Sequence, residues 1–173
     1  MNALDKIKEH YSNSVKKPAK STKSTKSTKS VKKFTGDITN AEDCYYYALN
    51  VLKDRFELGE EAISKYADYS YDYALNILKG RFELGEEAIS KNADYSYSYV
   101  RDVLKGRFEA GEEAISKNAD YSYDYAFNIL NGRFELGEEA ISKDAYYSHY
   151  YARDVLKLNP WQIYNSLLAY RKQ

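Results

Sequence analysis

An eleven-residue run, RFELGEEAISK, begins at Arg55 and returns at Arg81, at Arg107 with Ala110 in place of leucine, and at Arg133, each time 26 residues further on. A period this short gives one supersecondary unit per copy, too small to bury its own apolar face, so the copies must stack on one another. The units fall at 41–66, 67–92, 93–118 and 119–144. A fifth begins at Ala145 and diverges after Lys157.

Each unit reads as a helical hairpin. In the first helix, for example 67–79, Tyr73, Ala74 and Ile77 share one stripe with the small Ser70, which makes that stripe the buried face. Asn40, Asn92, Asn118 and Asp144 are good N-caps, with Glu42, Asp94 and Asp120 favourably placed in the first turn. Tyr66 stands at the same position and predicts the weakest cap. Gly80, Gly106 and Gly132 fall where a helix C-terminus favours positive φ, and are expected to close the first helix there.

The second helix, about 82–91, buries Phe82, Gly85, Ala88 and Ile89 and turns Glu83, Glu87, Ser90 and Lys91 outward. A helix of some three turns is marginal in water and must draw its stability from its neighbours. Gly59, Gly85, Gly111 and Gly137 each cost about 1 kcal/mol in helix propensity. The period nevertheless places one in every second helix, which points to a close approach by another helix.

The ends differ from the repeats. Thr39 and Glu42 suggest a capping box at the N-terminal edge. Asn159 and Pro160 make an N-cap and N1 pair, after which Trp161, Ile163, Tyr164, Leu167 and Leu168 give an amphipathic helix that covers the last open face. The expected fold is therefore all-α: residues 35–173 form an α-solenoid of stacked 26-residue hairpins, about ten helices with a divergent cap over 145–173.

Residues 1–34 are different in kind. They hold ten Lys and two acids, Asp5 and Glu9, which leaves 16 basic and 24 acidic residues to the remainder, so the net charge of zero conceals a basic tail on an acidic body. The STK repeats of this tail offer almost nothing to bury and predict disorder, although Leu4, Ile7 and Tyr11 have helical spacing. The single cysteine, Cys44, excludes an internal disulfide framework. With no long apolar run and no secretory signal, the expectation is a cytoplasmic protein that engages no membrane.

The run G-R-F-x-x-G-E-x-x-I-x-K-[DN], followed by a tyrosine-rich Y-x-Y-A-x-x-[VI]-L helix, resembles the short helical repeats of tailed bacteriophages and other large DNA viruses, over about 41–157. Related units often carry Pro after the Asp or Asn cap, where this chain has Ala67, Ala93, Ala119 and Ala145. The resemblance implies a helical array and a viral origin, with any partner then a host protein in the host-cell cytoplasm. It implies no activity and carries over no functional residue.

No Walker loop, GxGxxG, HExxH, GxSxG or paired CxxC is present. His10 and His149 lie far apart in unlike settings. The Glu pairs at 60/61, 86/87, 112/113 and 138/139 recur identically, which suits architecture better than one active site. The ladder Arg55, Arg81, Arg107 and Arg133 is expected to pair with carboxylates or stack on tyrosines. No catalytic, cofactor or metal site is therefore assigned.

The informative positions are those where the repeats differ. Projection of the first helix puts 49, 75, 101, 127 and 153 opposite the buried stripe, where the residues are Leu49, Leu75, Arg101, Phe127 and Arg153. Tyr46 and Tyr150 neighbour them, and Tyr71, Tyr97 and Tyr123 flank them. Aromatic, leucine and arginine side chains on a regular surface are the residue types that anchor protein interfaces, so a protein-binding face is expected there. The alternative is attachment to a nucleic-acid backbone by the tail, through Lys16, Lys17, Lys20, Lys23, Lys26, Lys29, Lys32 and Lys33, without base stacking and with steep salt dependence.

Overall fold

The computed structural model of the chain describes residues 33–163. The tail through Lys32, its Leu4/Ile7/Tyr11 segment, and Tyr164, Leu167 and Leu168 lie outside these. The described residues form helices and connecting turns, with no strand. Four hairpins follow one another. Each pairs a longer helix, α-helical and then π-helical, with a short one entered through a 3-10 turn.

The first hairpin is α1 (Ala41–Tyr46, continued by the π segment Tyr47–Leu52) and α2 (Glu60–Ile63, after the 3-10 turn Glu57–Gly59). Next come α3 (Ala67–Tyr73, then Ala74–Leu78) and α4 (Glu86–Ile89, after Glu83–Gly85). The third hairpin is α5 (Ala93–Tyr99, then Val100–Leu104) with α6 (Glu112–Ile115, after Glu109–Gly111). The fourth is α7 (Ala119–Asp124, then Tyr125–Leu130) with α8 (Glu138–Ser142, after Glu135–Gly137). A fifth long helix, α9 (Ala145–Tyr150, then Tyr151–Val155), leads to a last helix that begins at Pro160.

The helix starts are those expected. Asn40 accepts from the N–H groups of Glu42 and Asp43, Asn92 from Tyr95, Asn118 from Tyr121, and Asp144 from Tyr146 and Tyr147. Tyr66 offers α3 no side-chain cap. The capping box at Thr39 does not form, because both its N–H and its hydroxyl donate to Asp37 Oδ1. Asn159 and Gln162 cap each other's N–H at 2.9 Å. In the last helix Ile163 is buried, but Trp161, expected to cover the open face, is 69% exposed.

The long helices do not close on glycine. The left-handed residues are Lys53, Lys79, Lys105, Asn131 and Lys157, with φ between 49 and 56°, and no described glycine has positive φ. The cause is the π segment: Lys79 N–H reaches Ala74 O, five residues back, and Gly80 N–H reaches the same oxygen at 3.1 Å. These wider bonds end the helix one residue before the glycine.

The glycines of the second helices do mark close approach. A Cβ on Gly85 would stand 2.6 Å from Ser70 Cβ and from Phe82 Cδ1, and one on Gly59 would stand 2.7 Å from Cys44 Cβ. Ser70, Ser96 and Ser122 are fully buried, and their hydroxyls donate to the carbonyls of Ile63, Ile89 and Ile115 in the preceding hairpin. Cys44 holds the same place in the first hairpin, its thiol directed at Ile38 O. Burial, with Asp43 and Asp37 nearby, pushes that thiol up to about 11.

What joins one hairpin to the next is a buried hydrogen-bonded lock. The Phe82 N–H donates to the Tyr99 hydroxyl at 2.8 Å, and that hydroxyl donates to Glu86 Oε1, which Arg81 holds through both Nε and Nη2. Tyr73 closes the same lock on Phe56 and Glu60, Tyr125 on Phe108 and Glu112, and Tyr151 on Phe134 and Glu138. The repeated motif thus encodes its own joint. Arg orients Glu, Gly admits the helix, and Phe supplies both a packed ring and an N–H donor. At the leading edge Phe34 packs on Tyr47 and Phe56, with ring centroids 4.9 and 5.1 Å away.

Candidate functional site

The long-helix layer carries an aromatic ladder. Tyr45, Tyr71, Tyr97 and Tyr123 lie against Tyr69, Tyr95, Tyr121 and Tyr147 of the following hairpin, with centroids 5.6 to 6.0 Å apart. A polar rung runs beside it. Asn76 Nδ2 donates to Tyr45, and the Tyr71 and Tyr123 hydroxyls donate to Asp102 and Asp154 at 2.8 and 3.0 Å. Burial and the neighbouring carboxylate push Tyr71 and Tyr123 up to about 12.

Rung and variable position change together. Where the rung is Asn76 or Asn128 the preceding residue is Leu75 or Phe127, and Asn50, at the same place in the first hairpin, follows Leu49. Where the rung is Asp102 or Asp154, the preceding residue is arginine. Arg101 and Arg153 grip those aspartates through Nε and Nη2, at 2.6 to 2.8 Å, and hold both carboxyls below the usual range. Their guanidinium carbons also lie 5.6 Å from the Tyr97 ring and 4.4 Å from the Tyr150 ring. A charged rung needs a counter-charge, whereas an amide rung leaves the neighbouring position open to an apolar side chain.

Of the positions expected on a binding face, Tyr46 and Phe127 are exposed, and Phe127 stacks on Tyr123 at 5.8 Å with an interplanar angle of 8°. Arg101 and Arg153 are exposed and committed to their aspartates. Leu49, Leu75, Tyr71, Tyr123 and Tyr150 are half-buried. Tyr97, expected at the rim, is buried at 5% because Tyr121 of the next hairpin stacks over it. Among the eight tail lysines only Lys33 lies within the described residues.

The short-helix layer carries a second set of exposed apolar residues that projection of an ideal helix missed: Leu58, Leu84 and Leu136, the last two 62 and 61% exposed. They sit in 3-10 turns, where successive side chains turn about 120° rather than 100°. Beside them open grooves of about 440 and 470 Å³ at Leu84, and of about 440 and 540 Å³ at Leu136.

The glutamate pairs divide their labour. Glu60, Glu86, Glu112 and Glu138 serve the locks, while Glu61, Glu87, Glu113 and Glu139 pair with the lysine four residues on. His149 is exposed, edge-on to Tyr150. Among the described residues no group of three His, Cys, Asp or Glu side chains is placed to hold a metal ion, and no helix is long and apolar enough to cross a membrane.

Architecture and surface together define a helical-repeat protein with two differently decorated helical layers. Comparison with known family models, with curated proteins and with solved structures returns no match.

Proposed function

We propose that the chain is a non-enzymatic α-solenoid scaffold, closed at its C-terminus by the helix from Pro160, whose long-helix layer binds a protein partner in the cytoplasm. One observation carries this reading. The joints repeat without change from hairpin to hairpin, while the residues at the variable position above them run from half-buried Leu49 and Leu75 to exposed Arg101, Phe127 and Arg153. A constant frame under a changing surface is the arrangement of repeat proteins that bind other proteins. Tyr46 and Phe127 are exposed aromatic anchors on it. If the chain is viral, as its resemblance implies, the partner is a host protein.

The test is co-purification of partners from lysate, with and without nuclease, by tagged wild-type protein and by the Tyr46→Ala/Phe127→Ala variant. Both side chains are exposed, so the variant keeps its helical circular dichroism. Loss of one specific protein from the variant supports the reading. Identical capture by both proteins, or capture that vanishes with nuclease, refutes it and turns attention to the lysine-rich tail.

A further inference from the structure

The short-helix layer carries both projecting leucines and open grooves. With the hairpins counted from one to four, the most exposed leucines project from hairpin two (Leu84) and hairpin four (Leu136), and Leu58 of hairpin one is less exposed, at 39%. Grooves open between hairpins one and two, and between three and four. A two-fold axis that reverses one copy against another carries Leu136 onto the first groove, and the same operation carries Leu84 onto the second. Hairpin three, which then faces the junction between two and three, has the short Ala110 at this position and nothing to clash.

Charge follows the same pattern. Leu84 is flanked by exposed Glu83 and Leu136 by exposed Glu135. The grooves that receive them are each lined by two lysines and one glutamate: Lys117, Lys143 and Glu139 for Leu84, Lys65, Lys91 and Glu87 for Leu136. These lysines are at least 61% exposed and hold only surface i, i+4 partners, which exchange readily. We infer that the chain forms a two-fold homodimer through its short-helix layer, with Leu84 and Leu136 of each copy seated in the grooves of the other. In such an isologous contact every side chain acts twice. The long-helix layer stays free for the partner of the proposed function, and neither reading depends on the other.

The experiment is sedimentation velocity of the full-length protein across a concentration series, beside Leu84→Asp and Leu136→Asp. A monomer–dimer equilibrium is expected for the wild type, with each substitution raising the dissociation constant at least tenfold while circular dichroism is unchanged. A Leu84→Cys/Ala140→Cys variant should cross-link between copies on oxidation, with buried Cys44 silent. A wild-type protein monomeric at every concentration overturns the inference. A dimer indifferent to both leucine substitutions, or one that does not cross-link through these cysteines, overturns it equally.

Discussion

The hydroxyl of Tyr99 accepts the backbone N–H of Phe82 at 2.8 Å, 17 residues back in the chain and one hairpin away. Both groups are buried, and the same hydroxyl donates to Glu86. Tyr99→Phe keeps the ring and removes both bonds, leaving an N–H with no acceptor. A buried orphan donor of this kind costs about 1–3 kcal/mol, and urea denaturation should register that loss. Tyr46→Phe, on an exposed side chain outside the locks, should leave the midpoint unchanged.

The two families of glycine should respond oppositely to alanine. At Gly85 the added methyl meets the Ser70 Cβ and the Phe82 ring at 2.6 Å, and α4 can yield only by moving off α3. A displacement of this kind costs about 1–3 kcal/mol or more. At Gly80 the nearest atom is Leu78 O at 3.8 Å and φ is not positive, so alanine is accommodated. Gly80→Ala should be neutral or stabilise by up to about 1 kcal/mol through a less flexible unfolded chain. Thermal denaturation of the two single variants checks both.

The 26-residue period and the caps at Asn40, Asn92 and Asn118 were legible in the sequence because each is local: a helix start announces itself within four residues. The joints were not. The partners of Tyr99 lie 13 and 17 residues back in the preceding hairpin, and no single unit contains both halves of the lock. The π segments escaped because a 3.6-residue periodicity cannot register a helix that widens in its last turn, and so the left-handed residue was placed on Gly80 rather than Lys79. On the candidate site, the variable positions were found, but the commitment of Arg101 to Asp102 was not. That pairing follows from burial of the Tyr71–Asp102 rung, a contact 31 residues apart.

The coupling of Arg101 to Asp102 can be measured. Arg101→Leu alone leaves a half-buried carboxylate with only the Tyr71 hydroxyl and should destabilise the chain. The double variant Arg101→Leu/Asp102→Asn recreates the Leu75–Asn76 pair of the preceding hairpin and should recover much of that loss. Residues in direct contact show coupling energies on the order of 1 kcal/mol, and a double-mutant cycle by urea denaturation would detect it. Strict additivity would mean that the two positions vary independently.

Tyr66 is where α3 lacks the side-chain cap that Asn92 and Asn118 give α5 and α7. Its φ and ψ of −125 and 130° nearly coincide with those at Asn92, −123 and 125°, so an asparagine would enter without backbone change. Tyr66→Asn should stabilise the chain by about 1 kcal/mol, read as a rise in melting temperature. The tyrosine is 54% exposed, so little packing is lost.

Alkali should unfold the array. Burial pushes the Tyr99 and Tyr151 phenols up to about 12, against a lock carboxylate that would repel a phenolate, and Tyr71 rises as far beside Asp102. Tyr73 and Tyr125 are raised by the same cause. A phenol whose pKa is higher folded than unfolded supports folding fully below the unfolded value of 10, and that support is lost as pH climbs through the folded value. Tyrosinate absorbance should therefore lag the free-phenol curve above pH 10 and rise steeply before pH 12, coincident with loss of helical circular dichroism. Tyr99→Phe, already weakened at one joint, should bring the transition to lower pH. A smooth titration centred near 10 with helicity intact would show that the hydroxyls of the locks are not buried in solution.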